Sequence, residues 1–334
     1  DSRVSGYVKD RPAYNGVVTI TVQDVEETVR CKRNNLEEAD TAFIFRDRPN
    51  TLYLGQDSVR NGRFSVEFAV PLDISGSDDN GQLLVYTIDE GKTVSTHGVY
   101  DNFVLVGKDD TSSDGVGPSI YCYLNSEHFN NGDVVNHTPF FYAELSDKDG
   151  INAAGSGIGH NLELVVDGDM MRTYDLSDHF VYDFGDYRSG SVGYSLPELS
   201  AGQHRLLFRA WDVLNNSSTA ELAFYVDPQQ QPALASVVCT RNPARTSTSF
   251  LITHDRAGSE LDVTLEIFDT SGRKLWEKTE SGTAADRTYT VEWDLTTGSG
   301  SRLRTGVYLY RVLVSSNGSS EASAAQKLII LREN

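Results

Sequence analysis

Methionine and cysteine are scarce in this chain, with two and three in 334 residues. The first shortage accompanies a lack of helix-favouring runs, and the 16 tyrosines, 14 phenylalanines and 28 glycines point to strands and turns instead. The cysteines, Cys31, Cys122 and Cys239, fall one in each third of the chain with no CxxC or other ligand spacing. That distribution excludes a disulfide framework and a zinc site, and the three are read as buried or free thiols. Long apolar runs are missing too: candidates such as Leu328–Leu331 fall far short of the roughly 18 residues of a membrane-spanning helix. Nothing near Asp1 has the charged, apolar and small-residue regions of a signal peptide, so the expectation is a mature or excised piece of a longer protein.

Positive charge is the next deficit. Lys and Arg against Asp and Glu number 12 and 19 over residues 1–110, 5 and 17 over 111–230, and 12 and 12 over 231–334, so the net −19 divides as −7, −12 and 0. An acidic middle repels phosphate backbones and anionic headgroups, which argues against nucleic acid and against direct membrane insertion or adsorption. The neutral last third is the expected docking surface; the alternative is that the acidity serves only solubility.

The chain is expected to be all-β, built as three tandem immunoglobulin-like β-sandwich domains over residues 1–109, 110–230 and 231–334. In FSVEFAV, Phe64, Val66, Phe68 and Val70 alternate as in a half-buried strand, preceded by the turn pair Asn61-Gly62 and stopped by Pro71. The same reading predicts strands at 16–24, 42–46, 82–88 and 102–106. Glycine-rich KDDTSSDGVGP (108–118) and DPQQQP (227–232) mark the boundaries. Between them strands are predicted at 119–124, 139–146, 161–166, 191–196, 203–211 and 219–226, with a hairpin at Trp211-Asp212 and Asn215-Asn216. In the last domain Val263, Leu265 and Ile267 alternate, Thr270-Ser271-Gly272 turns the chain, and strands follow at 273–278, 291–295, 306–314 and 326–331.

Catalytic signatures are missing as well. There is no GxSxG elbow, HExxH helix or Walker loop, and nothing local supports a dyad between Cys122 and His160. Gly155, Gly157 and Gly159 in GSGIG read as a flexible loop, since no helix follows to receive a phosphate. Asp147, Asp149 and Asn152 in DKDGIN place oxygen ligands around a glycine that permits a sharp bend. A hard cation, Ca²⁺, suits them; the alternative is an Asx-turn that satisfies its own backbone. No other cofactor is expected.

Asn242-Pro243, Ile267-Phe268-Asp269-Thr270-Ser271-Gly272-Arg273, Trp293 and Gly306-Val307-Tyr308-Leu309-Tyr310-Arg311 occur in an order that resembles the C-terminal signal domain of the type IX secretion system of Bacteroidetes. Asp149-Gly150-Ile151-Asn152, Gly157-Ile158-Gly159-His160, Gly202-Gln203-His204 and Trp211-Asp212 with Asn215-Asn216 are similar to the region behind the peptidase domain of that system's surface sortases. Gly62-Arg63-Phe64 through Pro71-Leu72-Asp73-Ile74 resembles the same family. These are gingipain-like cysteine peptidases that remove C-terminal signals from cargo and help join it to an anionic lipopolysaccharide.

The resemblance implies a non-catalytic region at the cell surface, associated with the outer membrane. The family's catalytic Cys and His lie in a domain that would precede Asp1. The last domain would dock on the outer-membrane barrel protein PorV and other attachment-complex proteins, and Tyr308, Tyr310 and Arg311 are the candidate contacts, one face of that strand turning inward and the other outward. Two other readings stay open: a secreted adhesin or peptidase whose signal domain is cut off near 227–232, and a carbohydrate-binding sandwich that stacks Tyr or Trp on sugars.

Overall fold

The computed structural model describes residues 2–31, 41–72, 74, 78–105, 113–154, 159–316 and 319–331. Among them the only helical segments are two short 3₁₀ turns, Met170–Arg172 and Ser177–His179, and the remaining regular structure is strand. The chain is all-β, with sheets packed as sandwiches. It falls into two compact units, one of residues 1–122, 143–193 and 205–221, the other of 123–142, 194–204 and 222–334. Residues 108–112 of the first glycine-rich stretch and 155–158 of the GSGIG loop lie outside the described residues.

In the first unit, Gly16–Gln23 runs between Thr51–Val59 and Gln82–Asp89, with Ser95–Tyr100 outside the latter. Val18, Ile20 and Val22 alternate into the core, each worth about 1.5–3 kcal/mol on full burial. A two-stranded sheet of Ser2–Tyr7 and Arg63–Phe68 supplies Val66 and Phe68 to the same core. Asn61 and Gly62 both have positive φ, as the predicted tight turn requires. A side chain at Gly62 would also meet the Arg11 carbonyl oxygen at 2.4 Å. Of the strand expected at 102–106, residue 106 lies outside the described residues and 102–105 form none: Val104 makes a single bridge to Asn80, and the pairing strand lies earlier, at Ser95–Tyr100. STHGVY shows no apolar alternation. It is held by a turn in which Asp89 accepts from the Thr93 and Val94 amides, and those bonds hold its carboxyl below the usual range.

Two further sheets lie within 119–226. One orders Val134–Val135, Ser217–Val226, Gly202–Trp211, Glu163–Val166 and Thr173–Asp175; the other orders Phe180–Asp183, Asp186–Ser195, Phe140–Ser146 and Ser119–Leu124. The predicted hairpin joins Gly202–Trp211 to Ser217–Val226, with Asn215 at φ 67° and the Asp212 amide donating to the Asn216 carbonyl.

Glu27–Arg30 pairs with Ile44–Asp47 in a further two-stranded sheet, and residues 234–330 form the remaining two. Thr248–His254 lies between Leu234–Cys239 and Thr288–Trp293, while Glu260–Phe268 lies between Lys274–Thr283 and Gly306–Ser316. The last of these pairs further with Ser319–Ala322 and Gln326–Ile330. Their inner faces share one core that includes Phe250, Val263, Leu265, Ile267, Trp293 and Val312.

DPQQQP forms no strand, and it is tied down within the second unit. Arg256 is only 1% exposed, and its guanidinium donates to Asp255 Oδ2 at 2.8 Å and to the Gln230 carbonyl. Asp255 Oδ1 accepts from the Ala233 amide at 2.7 Å, so a single buried ion pair grips both ends of the tripeptide Gln230–Pro232 and its neighbour. Beside it, Ser259 Oγ meets Thr138 Oγ1 at 2.7 Å and Arg287 donates to Tyr123 Oη at 3.0 Å. Gly258, at φ 74°, brings its backbone against Ser195, whose Oγ would lie 2.3 Å from any added Cβ. Arginine is almost never fully buried unless paired, so the ion pair is the condition for this packing.

Candidate functional site

The motifs of the last domain are placed by backbone hydrogen bonding. Asn242 works as a side-chain extension of the sheet: its Nδ2 donates to the Lys327 carbonyl at 2.8 Å and its Oδ1 accepts from the Ile329 amide at 2.9 Å. Asp269 closes the turn of FDTSGR by accepting from Ser271 and from the Arg273 amide, bonds that hold its carboxyl below the ordinary range. Trp293 is buried and donates to the Thr296 carbonyl.

Tyr308 and Tyr310 share the inward face of Gly306–Ser316. Tyr310 is 3% exposed, packs edge-on against Phe250 at 4.8 Å and donates to Gln326 Oε1. Tyr308 is half-buried against the core and donates to the Arg304 carbonyl at 2.9 Å. Arg311 is exposed, its Nε 2.8 Å from Glu266 Oε2, and Lys274 approaches the other oxygen of the same carboxylate at 3.3 Å. Of the three, Arg311 and the rim of Tyr308 are accessible to another molecule, together with Val307 on the outward face.

The acidic loop of the first unit gathers Asp147 and Asp149 with Asp212, each offering a carboxylate oxygen within 4.8 Å of the others. An isolated bridge between Ile151 and Asp212 brings the two segments together. The sequence did not single out Asp212 as a ligand; its signal was its place in the hairpin WDVLNN. Asp212 Oδ1 accepts from the Leu214 and Asn216 amides at 2.9 and 2.7 Å. Asn152 is fully buried; its Oδ1 accepts from the Ala154 amide at 3.1 Å, and its Nδ2 has no hydrogen-bond partner.

Burial, followed by the charges of Asp212, Asp149 and Asp114, pushes the Asp147 carboxyl above its ordinary value. Lys148 is engaged with Asp114 at 3.0 Å. Asp149 Oδ2 is buried without a hydrogen-bond partner, a costly state for a carboxylate oxygen. Crowded carboxylates with an unsatisfied oxygen fit a hard divalent cation, and the oxygen-only donor set suits Ca²⁺.

Burial pushes the Cys122 thiol up to about 11, so it is protonated at neutral pH, and the His160 ring lies 4.3 Å from that of Trp211. No helix among the described residues is long and apolar enough to cross a membrane.

Fold and sites together describe an all-β protein of stacked sheets whose motif residues serve mainly to shape turns and edges. No family model and no curated protein matches the chain. Among solved structures, dimeric latent PorU from Porphyromonas gingivalis is 32% identical over 99% of this chain, at a TM-score of 0.41. The chain spans 31% of that protein's length. SGBP-B of the Bacteroides ovatus mixed-linkage glucan utilization locus, in complex with a mixed-linkage heptasaccharide, is 13% identical, over 99% of this chain and 65% of its own, at a TM-score of 0.28. The Ig1-2 module of the Drosophila receptor protein tyrosine phosphatase DLAR is 12% identical over 64% of this chain and 98% of its own, at 0.24.

Proposed function

We propose that this chain is the non-catalytic C-terminal region of a cell-surface sortase, a cysteine endopeptidase that removes C-terminal signals from type IX secreted cargo. In this reading residues 231–334 dock the parent protein on an outer-membrane partner, the barrel protein PorV. The observation that carries the reading is the 32% identity to PorU along 99% of the chain. It is favoured over a cargo protein with a removable signal domain because Arg256 and Asp255 hold the backbone of the segment at which a signal would be detached, through the Gln230 carbonyl and the Ala233 amide. Attachment would be by protein contact, since the domain is electrically neutral. The test removes 233–334 from the longer parent and follows it by fractionation and co-purification with PorV. Loss from the outer membrane is expected; a folded truncation that stays on the surface and still co-purifies would overturn the docking role.

A second reading concerns Asp147, Asp149 and Asp212, for which we propose a Ca²⁺ site. The unsatisfied, buried Asp149 Oδ2 is the observation that favours it.

A further inference from the structure

The turn that carries Arg256 inward is closed by the ring of His254, two residues before it. His254 Nδ1 accepts from the Arg256 amide at 3.0 Å. An imidazole nitrogen accepts only when it carries no proton, so the neutral ring bears its hydrogen on Nε2. His254 is 1% exposed, and that Nε2 is buried with no hydrogen-bond partner. One nitrogen of the ring thus holds the turn, and the other faces no acceptor.

The surroundings of the ring couple it to the 227–233 segment. On its own turn, Asp255 accepts from the Ala233 amide at 2.7 Å and Arg256 donates to the Gln230 carbonyl. On the strand to one side, His254 stands opposite Leu234, the residue that follows the segment, whose amide donates to Glu321. On the other side its amide donates to the Arg287 carbonyl at 2.9 Å, and the Arg287 side chain donates to Tyr123 Oη. Burial pushes the imidazole down from its ordinary 6.5 to about 4; among the charges facing it, Asp286 favours a proton and Arg256 and Arg287 oppose one.

A second proton would have to go on Nδ1, where its N–H would meet the Arg256 N–H. Two donors cannot share a hydrogen bond, so the charged ring and the closed turn exclude each other. Opening the turn to hydrate the ring also withdraws Arg256 from Gln230, since both side chains belong to the same three residues. We infer that His254 is an acid-sensitive latch on the 227–233 segment: neutral, it holds the turn that presents Arg256 and Asp255 to that segment, and protonated, it opens the turn and frees the segment's backbone. An opened ring binds its second proton near 6.5 and a closed one near 4, so the latch is fully closed above 6.5 and is lost as pH falls towards 4. Between pH 7.5 and 5.0 the opening constant should rise roughly thirtyfold.

The experiment follows the 334-residue chain by NMR at those two pH values. Protection of the Ala233 amide, corrected for the intrinsic pH dependence of exchange, should fall roughly thirtyfold at the lower pH. His254→Asn sets a carbonyl oxygen that does not titrate where Nδ1 stood, so the variant should keep the protection seen at pH 7.5 and lose the fall. In the unsubstituted chain the imidazole ¹⁵N shifts should report the Nε2–H form at pH 7.5 and a titration midpoint well below 6.5. A fall of less than about threefold would overturn the latch. So would a full fall that persists in His254→Asn, since the titrating group would then be Asp255 or the overall charge. A ring that carries its proton on Nδ1, or that titrates near 6.5 in the folded chain, would overturn it too, whether or not the variant folds.

Discussion

Replacing Arg256 with alanine tests whether its ion pair is what fixes the 227–233 segment. The substitution removes the guanidinium from Asp255, strands the Gln230 carbonyl and empties the space of the largest fully buried side chain. Asp255, whose carboxyl burial already pushes upward, would be left charged and unpaired away from water. Breaking a buried pair from one side costs about 3–5 kcal/mol. Because the damage is local, the readout is hydrogen exchange at the Ala233 amide, which donates to Asp255 Oδ1. If the segment opens locally, a loss of that size should speed exchange by roughly 10²–10⁴-fold. Proteolytic cleavage between 227 and 233 should appear in parallel.

Arg256→Lys keeps the charge without the fork and should fall between alanine and the parent protein. The double change Arg256→Met with Asp255→Asn removes both charges together and should cost less than Arg256→Ala alone. Acceleration below about tenfold in the alanine variant would show that surrounding packing holds the segment and that the ion pair is incidental. Cleavage there in the unmodified parent on cells would count against the sortase reading and leave the clamp itself intact.

His254 is buried, and its imidazole is pushed down to about 4. In the unfolded chain it protonates near 6.5, so the fold should lose about 3 kcal/mol as pH falls from 6.5 through 4, and His254→Gln should flatten that slope in acid melting curves. Calcium should raise the melting temperature, by the equivalent of about 2.7 kcal/mol at a free concentration 100 times Kd, and Asp149→Asn should abolish the rise. A melting curve unchanged by millimolar calcium would leave Asp147 and Asp149 as turn residues.

Local pattern was enough for much of the fold. Alternation at Val18, Ile20 and Val22 and at Val263, Leu265 and Ile267 names buried strands because side chains on a pleat alternate faces whatever lies opposite. Asn61-Gly62 and Thr270-Ser271-Gly272 name turns because few residues accept positive φ. The strands at Ser2–Tyr7, Thr51–Val59, Ser95–Tyr100 and Thr248–His254 escaped, some of them because polar or exposed sequence becomes strand only when a neighbour supplies the hydrogen bonds.

Asp147 and Asp149 were legible as a pair from their spacing, but Asp212 is 63 residues beyond Asp149 and joins them only through the bridge to Ile151. Asn152 suited a ligand by type, and only the folded loop shows that its oxygen also accepts from the Ala154 amide. The alternation of Tyr308 and Tyr310 said that they share a face; which face turned inward was decided by Phe250 and Gln326. Arg256 reads in sequence as an ordinary surface cation beside an aspartate. Its burial depends on Gln230 and Asp255 converging from separate segments, because a guanidinium leaves water only where the chain has assembled acceptors for it.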